Sequence, residues 1–274
     1  MRLSNTHFDP KQLYWQDYLP LLRQFENREF PSCEQLNSLL PSGLTSRGGQ
    51  VIRFVPSSEL DDAAYEQRIY TTGQVSTRAD NWHDLFNALV WMRFPQIKTA
   101  LNALHHLSWS QGKAGTRGAL RDALTLFDEC GVIVFSSDTD FLKALATRQW
   151  STAFQTMSSL WGKTAQLAIT GHAMLEKYLA PYKSMTAKAL LIQTDLPQDD
   201  ANRHSLLQSL DREIAEEFMA GHMLTRPASL SPLPLAGIPG WWPHGLQDDQ
   251  FYSDRQVFRP AAANLVPAPI NRLF

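Results

Sequence analysis

The chain has 274 residues, 43% of them hydrophobic and 19% charged, a soluble composition long enough for one large domain or two small ones. Its 25 basic and 27 acidic residues leave a net charge of −2, which removes the electrostatic footprint of a protein that grips nucleic acid by its phosphates. Cys33 and Cys130 are too far apart in sequence to suggest a disulfide framework or a thiolate zinc site, no apolar run reaches the ~18–20 residues of a membrane span, and Met1 to Pro10 lacks the apolar core of a signal peptide, so a cytoplasmic protein without a membrane partner is expected.

Residues 11–26 carry Leu13, Tyr14, Tyr18, Leu21, Leu22 and Phe25 at helical spacing, with Pro20 expected to kink or split the run. Ser32 reads as the cap of a short helix to about Leu40, ended by Pro41-Ser42-Gly43. Val51 to Val55 reads as a strand stopped by Pro56, and Tyr65 to Tyr70 as a second extended piece before the turn Thr71-Thr72-Gly73. A helix is predicted from Asn81 to about Arg93, capped by Asp80 or Asn81, and a second from Pro95 through Leu107. A glycine-rich loop follows over Ser108 to Gly118, with Gly112 and Gly115 inside it.

Leu124 to Phe127 and Val132 to Phe135 flank Asp128-Glu129-Cys130-Gly131, which reads as a β-hairpin; the competing reading places 117–129 on a helix. Beyond it the pattern predicts a helix capped by Ser137-Asp138, another over 150–161, a short apolar stretch at Gln166 to Ile169, and a helix from Gly171 to Leu179. A strand at Lys188 to Gln193 and a long helix over 203–222 follow. From Pro227 onward lie eight of the sixteen prolines, around Trp241-Trp242, too many for an independent fold but apolar enough to lie on the body. The expected fold is α+β: one mostly helical domain over 1–226 with a small antiparallel sheet, and an extended Pro/Trp-rich tail over 227–274 packed on it.

The densest polar chemistry falls between Arg78 and Asn87. Asp80, Asn81 and Asp84 suit helix capping, which leaves Arg78, Trp82 and His83 to be explained otherwise. His83 and Asn87 share a helix face, as do Lys98, Asn102 and one of His105 or His106 on the next helix, so an angled pair can converge them on a small-molecule pocket. His172 and Glu176, four apart, share another face and suit metal ligation or acid–base work. Asp128-Glu129 is most simply a turn former, and Arg78, Arg117 and Arg121 are candidates for holding a carboxylate or phosphate. No phosphate loop, dinucleotide fingerprint, HExxH or GxSxG is present.

The run from Thr77 to Trp91 resembles the signature of a bacterial family, the domain of unknown function number 3025. So do Phe94-Pro95 with Lys98, Ala100, Leu101 and Asn102, the run Leu124 to Glu129, and Gly171-His172-Ala173 with Leu175-Glu176. The tail pieces Gly237 to Trp241 and Val257 to Pro260 extend the likeness over about residues 8 to 260. The resemblance implies a single cytoplasmic domain of proteobacterial type and transfers no catalytic role.

The residues themselves point to an enzyme on a small polar or anionic molecule, hydrolytic or group-transferring, with a non-catalytic ligand-binding or interaction module as the alternative. His83 would be acid, base or ligand, Asp84 would orient it, His172 and Glu176 would form a second pair, and Arg78, Trp82, Asn87 and Asn102 would contact substrate. A divalent metal is compatible with this set, and the oligomeric state is left open.

Overall fold

A computed structural model describes residues 8–25, 29–59, 64–111, 118–195, 203–243 and 246–273. The predicted first helix is broken into a 3-10 turn (Leu13–Trp15), α1 (Leu19–Leu22) with Pro20 in its first turn, and a second 3-10 turn. Helix α2 (Cys33–Asn37) starts on a capping box in which Ser32 and Gln35 exchange hydrogen bonds. Strand β1 (Arg53–Pro56) pairs in parallel with β2 (Gln74–Thr77), and between them runs a helix, α3 (Tyr65–Thr72), in place of the expected extended segment. The apolar residues there do not alternate: Ile69 is the buried position, and Gly73 stops the helix in the left-handed conformation at φ 74°.

Helix α4 (Trp82–Arg93) is capped by Asn81, whose side chain accepts from the Asp84 amide at 3.0 Å. Phe94 turns the chain directly into α5 (Pro95–Gln111), so the expected loop begins later than Ser108, and Gly112, Gly115 and Arg117 lie outside the described residues. The start of α5 is held by Asp211, which accepts from the Gln96 and Ile97 amides at 3.0 and 2.8 Å from across the core, on α9 (Arg203–Met219).

The hairpin expected around residue 130 is replaced by α6 (Ala119–Cys130) running straight into β3 (Gly131–Ser136). Ala123, Leu124 and Phe127 recur at helical spacing and are buried, whereas β3 is buried at every position. A strand covered on both faces reads as an unbroken apolar run, which mimics the second arm of a hairpin. Helix α7 (Thr139–Ala146) follows on an Asp138 cap. A π turn over Thr152–Thr156 and a 3-10 turn over Ser158–Leu160 stand in place of the helix expected over 150–161.

Then come β4 (Ala165–Ile169), α8 (His172–Lys177) and β5 (Thr186–Gln193), and, after α9, β6 (Ser231–Pro234), α10 (Asp249–Tyr252) and β7 (Ile270–Arg272). The main sheet is mixed, not antiparallel as expected: β3 lies between antiparallel β4 and parallel β5. The outer edge of β5 is shared, its first half by antiparallel β6 and its second by parallel β7. Pro232 and Pro234 fit in β6 because it is an edge strand, where a missing N–H is tolerated. Helices α6 and α7 pack on β3 and β5, and α4 and α6 both pack on α8. Among the described residues no helix is long and apolar enough to cross a membrane.

Candidate functional site

The junctions α6–β3 and β4–α8 touch through backbone. The Thr170 and Gly171 amides both donate to the Gly131 carbonyl, at 3.0 and 2.8 Å. A Cβ on Gly171 would lie 2.4 Å from the Gly131 nitrogen and 2.6 Å from the Glu129 carbonyl oxygen, so only glycine permits this approach. The contact brings the last turn of α6, with Asp128 and Glu129, against the first residue of α8, His172. The N-terminal turn of α4 packs on α8 and supplies His83.

The side chains meet closely. His83 Nε2 and His172 Nε2 are 3.0 Å apart, and His83 Nδ1 is 3.0 Å from a Glu176 carboxylate oxygen. His172 Nε2 lies 3.7 Å from Glu129, and its Nδ1 lies 3.8 Å from Asp128. Donor atoms of His83, Glu129 and His172 all fall within 4.8 Å of one another. Asp128 in turn accepts from the Lys98 ammonium at 2.6 Å. His83, Asp128, Glu129 and His172 open on a cleft of about 340 Å³ that is also lined by Ser57, Tyr65, Glu66, Ser76, Arg78, Asp84 and Asn87.

Burial dominates the electrostatics. It holds His172 neutral, pulling its pKa down to about 4 with help from Lys98 and His83 against the opposing pull of Asp128. Burial and the neighbouring Asp128 charge push Glu66 up to about 7, only partly offset by Asn102 and Lys98. Glu129 is raised by the same two causes. For Asp128 burial acts upward but is outweighed by Lys98 and His172, which hold its carboxyl below the usual range.

Of the residues singled out in sequence, His83, His172 and Glu176 come together, but the pairing differs from the helical-face expectation. Glu176 hydrogen-bonds His83 on α4 rather than serving with His172. Asp84 does not orient His83: its two oxygens are taken by the Arg78 guanidinium at 3.0 and 2.8 Å and by the Arg78 amide at 2.6 Å. Arg78, with a side chain 57% exposed, is thereby largely spent on Asp84. Asn87 lines the cleft and donates to the Tyr65 hydroxyl at 2.8 Å, while Asn102 donates to the Glu66 carboxylate at 2.7 Å from just behind it. Trp82 turns into an aromatic cluster with Phe8, Phe30 and Phe86 and is not among the cleft-lining residues. Arg121 lies at the start of α6, also outside that lining.

Lys98, expected on the face that converges on the pocket, belongs to the site; so do Asp128 and Glu129, read from sequence as a turn former, and Glu66, which the sequence does not single out. Asp128-Glu129 reads as a turn as long as α6 reads as a hairpin arm, and Glu66 reads as part of an extended stretch rather than of α3. For Lys98 a signal exists: a lysine between Ile97, Ala100 and Leu101 on an otherwise buried face.

These features define an α+β protein with a histidine–carboxylate cluster seated where three helix ends meet beside a mixed sheet. The chain belongs to the family described as Protein of unknown function (DUF3025), whose pattern matches residues 52–262. No curated protein and no solved structure matches the chain.

Proposed function

We propose that this protein is a metal-assisted enzyme, a hydrolase or group transferase acting on a small polar molecule, with a divalent cation held by His83, His172 and Glu129. The observation that carries this reading is the convergence of three donor atoms from three helices within 4.8 Å. Tetrahedral zinc bonds of about 2.0–2.1 Å set ligand atoms roughly 3.3 Å apart. The separations of 3.0 Å between the imidazoles and 3.7 Å from His172 to Glu129 bracket that value. Three protein ligands leave a further position for water or substrate, the arrangement of catalytic rather than structural zinc.

Charge supports the same reading. Arg78 cancels Asp84 and Lys98 cancels Asp128, which leaves the Glu129 and Glu176 carboxyls in surplus around two histidines, beside a Glu66 carboxyl that burial keeps partly protonated. A divalent cation neutralises that surplus, whereas a free anion is repelled by it, so the substrate is better drawn as polar than as strongly anionic. Glu66, with a pKa of about 7 in the same cleft, suits proton transfer to or from a reacting group at neutral pH.

The test is retention of metal. After exposure to Zn²⁺ or Mn²⁺ and desalting, the wild-type protein is expected to keep a stoichiometric ion, and His83→Ala and His172→Ala to keep none. A screen of simple uncharged esters and amides should show turnover that a chelator removes, with phosphoesters turned over less. A folded wild-type protein that retains no metal defeats the reading. One that binds metal, stays silent across the screen and copurifies with a single partner fits a non-catalytic binding module instead.

A further inference from the structure

Lys98 and Asp128 form a buried ion pair behind His172, and the fold gives no evident reason for it. The Lys98 side chain is 5% exposed and its ammonium lies 2.6 Å from one Asp128 oxygen and 5.5 Å from the centre of the Trp91 ring. The other Asp128 oxygen is 3.8 Å from His172 Nδ1, a buried atom short of a full hydrogen bond, and the Asp128 main chain also acts as an acceptor toward this imidazole. Burying such a pair is commonly no more stabilising than apolar side chains of the same shape. Its placement matters more than its energy.

A neutral imidazole carries one proton, and only its bare nitrogen can bind a cation. On His83 the matter is decided by Glu176, which accepts from Nδ1 and leaves Nε2 bare toward the cleft. We infer that Lys98 and Asp128 are the matching positioning residues for His172: the Asp128 carboxylate favours the proton on Nδ1, Lys98 holds that carboxylate in place, and Nε2 is left bare to face His83 and Glu129. Without a cation this 3.0 Å contact is an N–H···N hydrogen bond in which one Nε2 holds a proton; a bound cation would displace that proton and take both lone pairs, each ring backed by its own carboxylate. This inference rests on the metal reading proposed above and extends it to residues outside the proposed ligand set.

Cobalt and zinc titrations test it, using Co²⁺ absorption in the visible and calorimetry with Zn²⁺ on the full chain. Asp128→Asn is expected to lose about 10–100-fold in affinity, the usual cost of removing a carboxylate behind a metal-bound histidine, and to alter the Co²⁺ spectrum. Lys98→Met should lose affinity in the same direction. The double variant, with both charges gone, should recover thermal stability but not affinity. Should Asp128→Asn alone fail to fold, the double variant carries the decision. Affinity that returns together with stability in the double variant, or an Asp128→Asn protein that binds as the wild type does, overturns the positioning role while leaving the metal reading intact. A folded wild type that binds neither ion overturns both.

Discussion

Glu66 carries its charge reluctantly, and that has a sign in stability. Its carboxyl sits at about 7 in the folded chain against an ordinary glutamate value of 4.5, because of burial and Asp128. Between those values the folded protein holds a proton that the unfolded chain has released, so stability from this group is full at low pH and is lost as pH rises through about 7. Urea unfolding of wild type and Glu66→Gln from about pH 4.5 to about pH 7.5, a window that spans both values, should show the wild type falling relative to the variant; curves that run parallel would mean that the carboxyl titrates normally. At this scale the sequence is a fair guide to chemistry and a poor guide to pairing. His83, His172 and Glu176 are legible because polar groups at helical spacing inside apolar helices stand out. Which acid serves which histidine is not, because Asp84 has a nearer claimant in Arg78, and Glu176 and Glu129 reach the histidines of other helices. Trp82 resembles a ligand contact only because its aromatic neighbours Phe8 and Phe30 are distant in sequence.

At the level of elements, the site depends on the backbone contact between Gly131 and Gly171. Gly171→Ala places a methyl group 2.4 Å from the Gly131 nitrogen, and neither junction can move without shifting a strand of the central sheet. We expect a loss of roughly 1–3 kcal/mol, the range for overpacking a tight interior, read as a lower melting temperature, together with weaker metal retention because His172 is the next residue. A variant with unchanged melting and unchanged metal content would show that the junctions are softer than their packing implies. The helices α4, α5 and α9 are legible from apolar periodicity and from the Asn81 and Pro95 signals at the starts of the first two. Helix α6 is legible only as the competing reading over 117–129, since a glycine between two apolar runs is common to a hairpin and to a helix that enters a buried strand without a loop.

For the molecule as a whole, the question is what the proline-rich tail contributes. It supplies β6 and β7 to the main sheet, buries Trp241 and Phe258, and its Arg259 carbonyl accepts from the Trp150 indole at 2.7 Å. Its composition suggests a strap lying over the body; the edge positions of β6 and β7 add backbone pairing to that picture. We expect a chain ending at Arg226 to lose cooperative thermal unfolding, followed by circular dichroism, rather than to melt as a smaller stable domain. A truncated chain that melts cooperatively at the wild-type temperature would make 227–274 dispensable to the fold.

The divided edge of β5 also sets an order in time. Synthesis delivers Thr186 to Gln193 well before Ser231 to Pro234, and longer still before Ile270 to Arg272. Through that interval the apolar run Leu190-Leu191-Ile192 belongs to a strand with one side unpaired, the kind of edge that recruits strands from other chains. Closing it requires contacts between segments far apart in sequence, which are the slow ones to form. The growing polypeptide is therefore most prone to aggregate while β6 and β7 are still to be made, and Ile270 to Arg272 act as the stitch that ends the exposure.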